Sequence, residues 1–229
     1  MREASPDTAI TGGPTPWEGC GRVLARIFTA LGGQVVHHAR AENSVCLVDS
    51  PGLHMWTHRV EVEGVPNLAH EIGHLLFEDR LDDDHGLDYS AIPYDLKTKH
   101  GRRVLAEELV CCALSCSVLA QLSMDRGINL ESQEVICAVD AWFAEQIEIQ
   151  PVFYQSEIDL DVFRSSVDVF VRSERDTLVR KCDYLYAKLA EWMPRIGVSL
   201  DRNIQVRYEV HELWLIYLMR DGVRMVKST

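Results

Sequence analysis

His70, Glu71, Ile72, Gly73 and His74 place two imidazoles four residues apart with a carboxylate between them. On an α-helix, positions i and i+4 lie on one face, so both rings can be aimed at a common centre about 2 Å from each donor nitrogen. Glu71, one position round the helix from His70, then carries its carboxylate toward a water at that centre rather than toward the ion itself. This is the donor pattern of a hydrolytic zinc site, with His70 and His74 as metal ligands and Glu71 as the catalytic base.

A catalytic zinc takes three protein ligands and leaves one position for water, so a further donor must come from elsewhere in the chain. Four residues are candidates: Glu108, Glu107, Asp88 and His85. Glu108 is favoured because it heads a face continued by Cys112, Ser115 and Leu119. That face is partly apolar and turned inward, and a carboxylate held there needs a partner such as a metal. Glu107 is its immediate neighbour. His85 follows His74 by eleven residues but lacks the glycine of an extended three-histidine motif, and Asp88 lacks a Gly-Thr lead-in. The oxyanion that develops during hydrolysis calls for a donor besides the metal. Tyr89, Tyr94 and His85 are the candidates, with His100 and His211 behind them.

These side chains must be positioned by regular elements. Asn67 is a candidate N-cap for a helix over Leu68–Phe77, in which Leu68, Ile72, Leu75 and Leu76 recur at helical spacing. Gly73 inside it costs about 1 kcal/mol relative to Ala, which close packing near the metal would offset. After an acidic stretch from Glu78 to His100, read as a loop of more than twenty residues, helical periodicity resumes over Gly101–Met124. Upstream, Trp17–Leu31 reads as a helix closed by Gly32 and Gly33. Gln34–His38, Ser44–Asp49 and Leu53–Val62 read as strands of a small antiparallel sheet, the last a candidate edge for an extended peptide to join. Downstream, Glu131–Ile149, Glu157–Met193 and Leu200–Met219 read as helices, interrupted by Pro151, Pro194 and Gly197.

The expected architecture is therefore α+β. A small antiparallel sheet packs on the histidine helix and a second ligand-bearing helix, and a helical C-terminal region follows. The corresponding division is a flexible arm over 1–15, a metallopeptidase domain over 16–125 and a helical domain or extension over 130–229.

A chain of 229 residues with 47% hydrophobic side chains can bury a substantial core. Its formal net charge of −12 and pI near 5.2 argue against a sequence-independent grip on nucleic acid, which relies on clustered cations. Seven cysteines, an odd number without close framework spacing, read as reduced thiols of a cytoplasmic protein. Cys111, Cys112 and Cys116, close to Glu108, are expected to act as small buried hydrophobes, at a place where oxidation would perturb a metal. Neither a secretory signal nor a run of membrane-span length is expected.

The run Leu68-Ala69-His70-Glu71-Ile72-Gly73-His74-Leu75-Leu76-Phe77, followed by Glu107-Glu108-Leu109-Val110-Cys111-Cys112-Ala113, resembles the ImmA/IrrE family of gluzincin-type metallopeptidases over about residues 45 to 122. Leu109, Val110 and Cys112 depart from that family's second stretch. The resemblance implies a zinc ion, a glutamate ligand falling on Glu108, and a protein or peptide substrate, in many members a helix-turn-helix transcriptional repressor. The expectation is a cytoplasmic zinc-dependent endopeptidase acting on a specific, regulatory protein, with C-terminal helices that recognise it or form a homodimer. No direct contact with nucleic acid or membrane is expected. Two other classes stay open: a non-catalytic metal-binding regulatory or interaction protein, and a metal-dependent enzyme tailoring small molecules.

Overall fold

Apolar spacing along the chain resolves into helices α1 (Gly21–Ala30), α2 (Val65–Leu76), α3 (Lys99–Asp125), α4 (Gln133–Tyr154), α5 (Leu160–Ser173), α6 (Arg175–Arg195) and α7 (Val210–Met219). The structure, a computed structural model, describes residues 16–17, 19–35, 44–50, 53–60, 65–77, 96–154, 159–195 and 204–220.

Local chemistry sets several of the ends. The Thr98 hydroxyl accepts the Gly101 N–H at 3.0 Å and so caps α3. At the other end, Gly127 adopts φ +80°, a left-handed conformation that glycine enters without a Cβ penalty. Its N–H reaches the Met124 carbonyl at 2.8 Å, while Ile128 N–H reaches back to Ser123 at 3.0 Å, closing carbonyls that the helix end would leave open. Asp159 caps α5 by accepting from the N–H groups of Asp161 and Val162.

The core is organised around α3. From Val104 to Ser123 every residue of that helix is buried, because α2, α4, α6 and α7 pack on it from different sides. A helix apolar on all faces is stable only when it is enclosed in this way. One continuous cluster of buried side chains runs from Trp17 on the approach to α1 to Tyr217 on α7. By length and composition α3 is also apolar enough to cross a membrane, contrary to the sequence expectation. In this fold its most apolar window is wholly buried.

The expectation of an α+β domain on an antiparallel sheet is thereby corrected: the protein is helical. Helix α3 packs between helices, and helices make up most of the described residues. Strands β1 (Gln34–Val35), β2 (Ser44–Ser50) and β3 (Leu53–Val60) form a minor element in the order β1-β3-β2. Its directions are mixed, since β1 runs parallel to β3 and β2 antiparallel to it. Strand β3 is thus the middle strand and not the edge expected to receive a peptide.

The C-terminal helices also differ from the sequence reading. Helix α4 continues through Pro151, and the single helix expected over Glu157–Met193 is divided at Glu174 into α5 and α6. Pro194 lies inside the last turn of α6. Before α7, residues 204–209 carry no regular secondary structure, where helix was expected from Leu200.

Candidate metal centre

Helices α2 and α3 meet at a glycine. A Cβ built on Gly73 would lie 2.8 Å from Cys111 Sγ, 3.1 Å from its Cβ and 3.2 Å from its Cα. Backbone cannot move aside as a flexible side-chain tip can, so only glycine allows this approach. The sequence rationale for Gly73 thus acquires a specific neighbour. The close crossing sets the histidine face of α2 directly against the face of α3 that carries Glu108, Cys111 and Cys112.

At that contact the donor atoms converge. His70 Nε2 and His74 Nε2 are 2.9 Å apart, and the Glu108 carboxylate straddles them, with Oε2 3.3 Å from His70 Nε2 and Oε1 3.3 Å from His74 Nε2. All three residues are buried. Glu71, buried beside them, has a carboxylate oxygen within 4.8 Å of the histidine nitrogens. His70, Glu71 and His74 form a buried group that could hold a metal ion.

The residues fit such an ion in both geometry and chemistry. Four donors at about 2.0–2.1 Å around a tetrahedral zinc are separated from one another by about 3.3 Å. The observed separations of 2.9–3.3 Å among the two imidazoles and Glu108 match that spacing. With the ring protons on Nδ1, a carboxylate and two imidazole Nε2 lone pairs are all acceptors, a set that a cation between them would satisfy.

The local electrostatics agree. Burial pushes the Glu108 carboxyl up, but His74 and His70 outweigh it and hold the group below the usual carboxylate range. Burial likewise opposes a charge on His70, yet Cys112 and Glu108 overcome it and raise its pKa well above the ordinary value. Burial pushes the thiols of Cys111 and Cys112 up.

The other expected site residues are distributed differently. Glu107 is also buried but turns away to α6: its Oε1 lies 3.5 Å from Lys181 Nζ and 3.7 Å from Arg103 Nε. His85, Asp88, Tyr89 and Tyr94 lie outside the described residues. His100 belongs to the first turn of α3 and not to a loop, and His211 to the first turn of α7. Of the strand histidines, His54 pairs in register with Asp49 and His58 with Val45.

Two contacts escaped the sequence reading. Cys111 Sγ lies 3.7 Å from His74 Nδ1, and Cys112 Sγ lies 3.8 Å from His70 Nδ1. Their signal was present in the spacing, since residues three and four beyond Glu108 must share its face. Lys181, the partner of Glu107, carried no local signal.

The chain matches no protein-family model, no curated protein and no solved structure. The resemblance to ImmA/IrrE metallopeptidases rests on the two motifs alone.

Proposed function

We propose that the protein is a zinc-dependent endopeptidase of narrow specificity, resembling the ImmA/IrrE metallopeptidases, that hydrolyses a peptide bond of a regulatory protein. The observation that carries this reading is the convergence of His70, His74 and Glu108 with a further carboxylate, Glu71, at their side. Two imidazoles and a glutamate are a donor set of catalytic zinc sites, and they leave a position open. When bound there, zinc would supply Lewis acidity that brings the pKa of a water down toward about 7.

The chain's own residues would do the rest. His70, His74 and Glu108 hold their donor atoms in place through burial and the tight crossing at Gly73. Glu71, not needed as a third ligand when Glu108 fills that role, takes the proton of the attacking water and returns it to the departing amine. A metal held for structure alone has no use for such a base.

The near-complete burial of the four side chains favours one second reading, a metal-binding regulatory protein without turnover. Glu71→Gln separates the two. Purified wild-type protein should hold close to one zinc and cleave members of a peptide library, while the variant should keep its zinc and lose about 10²- to 10⁴-fold in cleavage rate. Cleavage at the wild-type rate by the variant would overturn the endopeptidase mechanism.

A further inference from the structure

We propose that Cys111 and Cys112 are positioning residues of the metal centre, one thiol standing behind each ligand histidine and fixing which ring nitrogen faces the ion. The inference rests on the metal-binding reading of His70, His74 and Glu108. It adds two side chains that a zinc-peptidase motif does not call for.

The geometry is reciprocal. An imidazole that binds a metal through Nε2 carries its proton on Nδ1, and the group that receives this proton sets the tautomer and the plane of the ring. Here Cys111 Sγ lies 3.7 Å from His74 Nδ1 across the crossing, and Cys112 Sγ lies 3.8 Å from His70 Nδ1. Both separations fall within the range of a hydrogen bond to sulfur. A single helix supplies all four contacts: Glu108 reaches the Nε2 side of both rings, and the residues three and four further on reach the Nδ1 sides. The i, i+4 spacing of the histidines on α2 is thus matched by i, i+3 and i, i+4 spacing on α3.

The same sulfur defines how close the helices come. Cys111 is the residue that a side chain at Gly73 would strike, so one residue sets both the helix separation and the orientation of His74. Outer partners of metal-bound histidines are more usually carboxylates or carbonyls, which raise the basicity of the ring. Sulfur is a weaker acceptor. It reaches the two imidazoles from the Nδ1 side.

Cobalt(II) and zinc(II) binding to the full-length protein tests this. Cys111→Ala and Cys112→Ala should each weaken metal affinity about 10- to 100-fold in competition with a chromophoric chelator and shift the visible absorption of the cobalt form. Helix content by circular dichroism should not change. Cys112→Ser, whose hydroxyl can still accept from Nδ1, should recover most of the affinity. Cys116→Ala is the control, because Cys116 is equally buried on α3 but its sulfur faces the Val139 carbonyl. Folded alanine variants with wild-type affinity and spectrum would overturn the inference while leaving the metal site intact. Wild-type protein that takes up neither metal would overturn the metal reading itself and this inference with it. Should the alanine variants not fold, nitrogen-15 spectra of the histidines in zinc-loaded wild-type protein decide. Protonated Nδ1 on both His70 and His74 supports the assignment, and an unprotonated Nδ1 on either overturns it.

Discussion

Buried polar groups are closed in one way among α5, α6 and α7 and in another where α2 crosses α3. In the C-terminal helices donors meet acceptors. Asp168 accepts from Trp214 Nε1 at 3.0 Å and from Arg172 Nε at 2.9 Å. The Tyr186 hydroxyl donates to the Tyr208 carbonyl at 2.9 Å and lies 2.6 Å from Ser117 Oγ, and Arg164 donates to Tyr217 Oη at 2.6 Å. At the α2–α3 crossing, two imidazole nitrogens, donors or acceptors according to their tautomer, crowd one space with both oxygens of Glu108. Complementary pairs of the first kind stabilise a fold by themselves. The second kind gathers groups that could hold a metal ion between them.

The sharpest way to break this contrast is at Glu108. Glu108→Ala should lower metal affinity by more than the roughly 100-fold that outer contacts command, with helix content preserved; a chelator competition showing little loss would mean that the convergence is incidental. Next in size is Gly73→Ala. Helix propensity alone predicts a gain of about 1 kcal/mol, whereas the collision with Cys111 predicts a net loss of about 1–3 kcal/mol in urea unfolding. An unchanged or raised midpoint would show slack at the crossing.

On the complementary side, Asp168→Ala should cost about 1–3 kcal/mol, because Trp214 Nε1 would be left buried without its acceptor. Metal affinity should stay at the wild-type value, and a parallel loss would erase the distinction between the two regions. The smallest effect is expected at Glu209, whose carboxyl is raised by burial, with Asp183 and Glu212 adding to it. A folded pKa above the unfolded one means that the charged form weighs on the fold once pH exceeds the folded value, and that this weight vanishes below about pH 4. Glu209→Gln should therefore raise thermal stability at neutral pH by less than about 0.5 kcal/mol and leave it unchanged in acid. A gain of equal size at both pH values would assign the effect to something other than charge.

Much of the site region was legible because its signals are local. The i, i+4 histidines and the inward face headed by Glu108 are statements about a single helix, and Glu108 lies at the histidines while Glu107 turns to Lys181. What escaped depends on other parts of the chain. Helix α2 starts at Val65, ahead of the expected Asn67 cap, because Pro66 is tolerated in a first turn where no N–H is needed. The break between α5 and α6 falls at Glu174, which is ion-paired with Arg102 on α3, a partner seventy-two residues away. Residues 204–209 are not helical because α3 offers their backbone other partners: Gln121 Oε1 accepts from Gln205 N–H at 3.1 Å and Ser117 Oγ from Tyr208 N–H at 2.9 Å. The helical character of the whole followed from the enclosure of α3, a property of its neighbours. The strands expected at Ser44–Asp49 and Leu53–Val62 lie close to β2 and β3, and what alternation in short segments did not convey is how far helices outweigh them among the described residues.

The enclosure of α3 also has a bearing on how the protein is made. Ribosomes deliver Glu108 long before Trp214 and Tyr217, yet both of these belong to the wall that seals the same interior. A growing chain that already contains every ligand is therefore an oily rod awaiting its jacket. Closure of that interior would come late in synthesis, once α7 has docked, so an unfinished polypeptide carries the histidine motif without the walls that bury it.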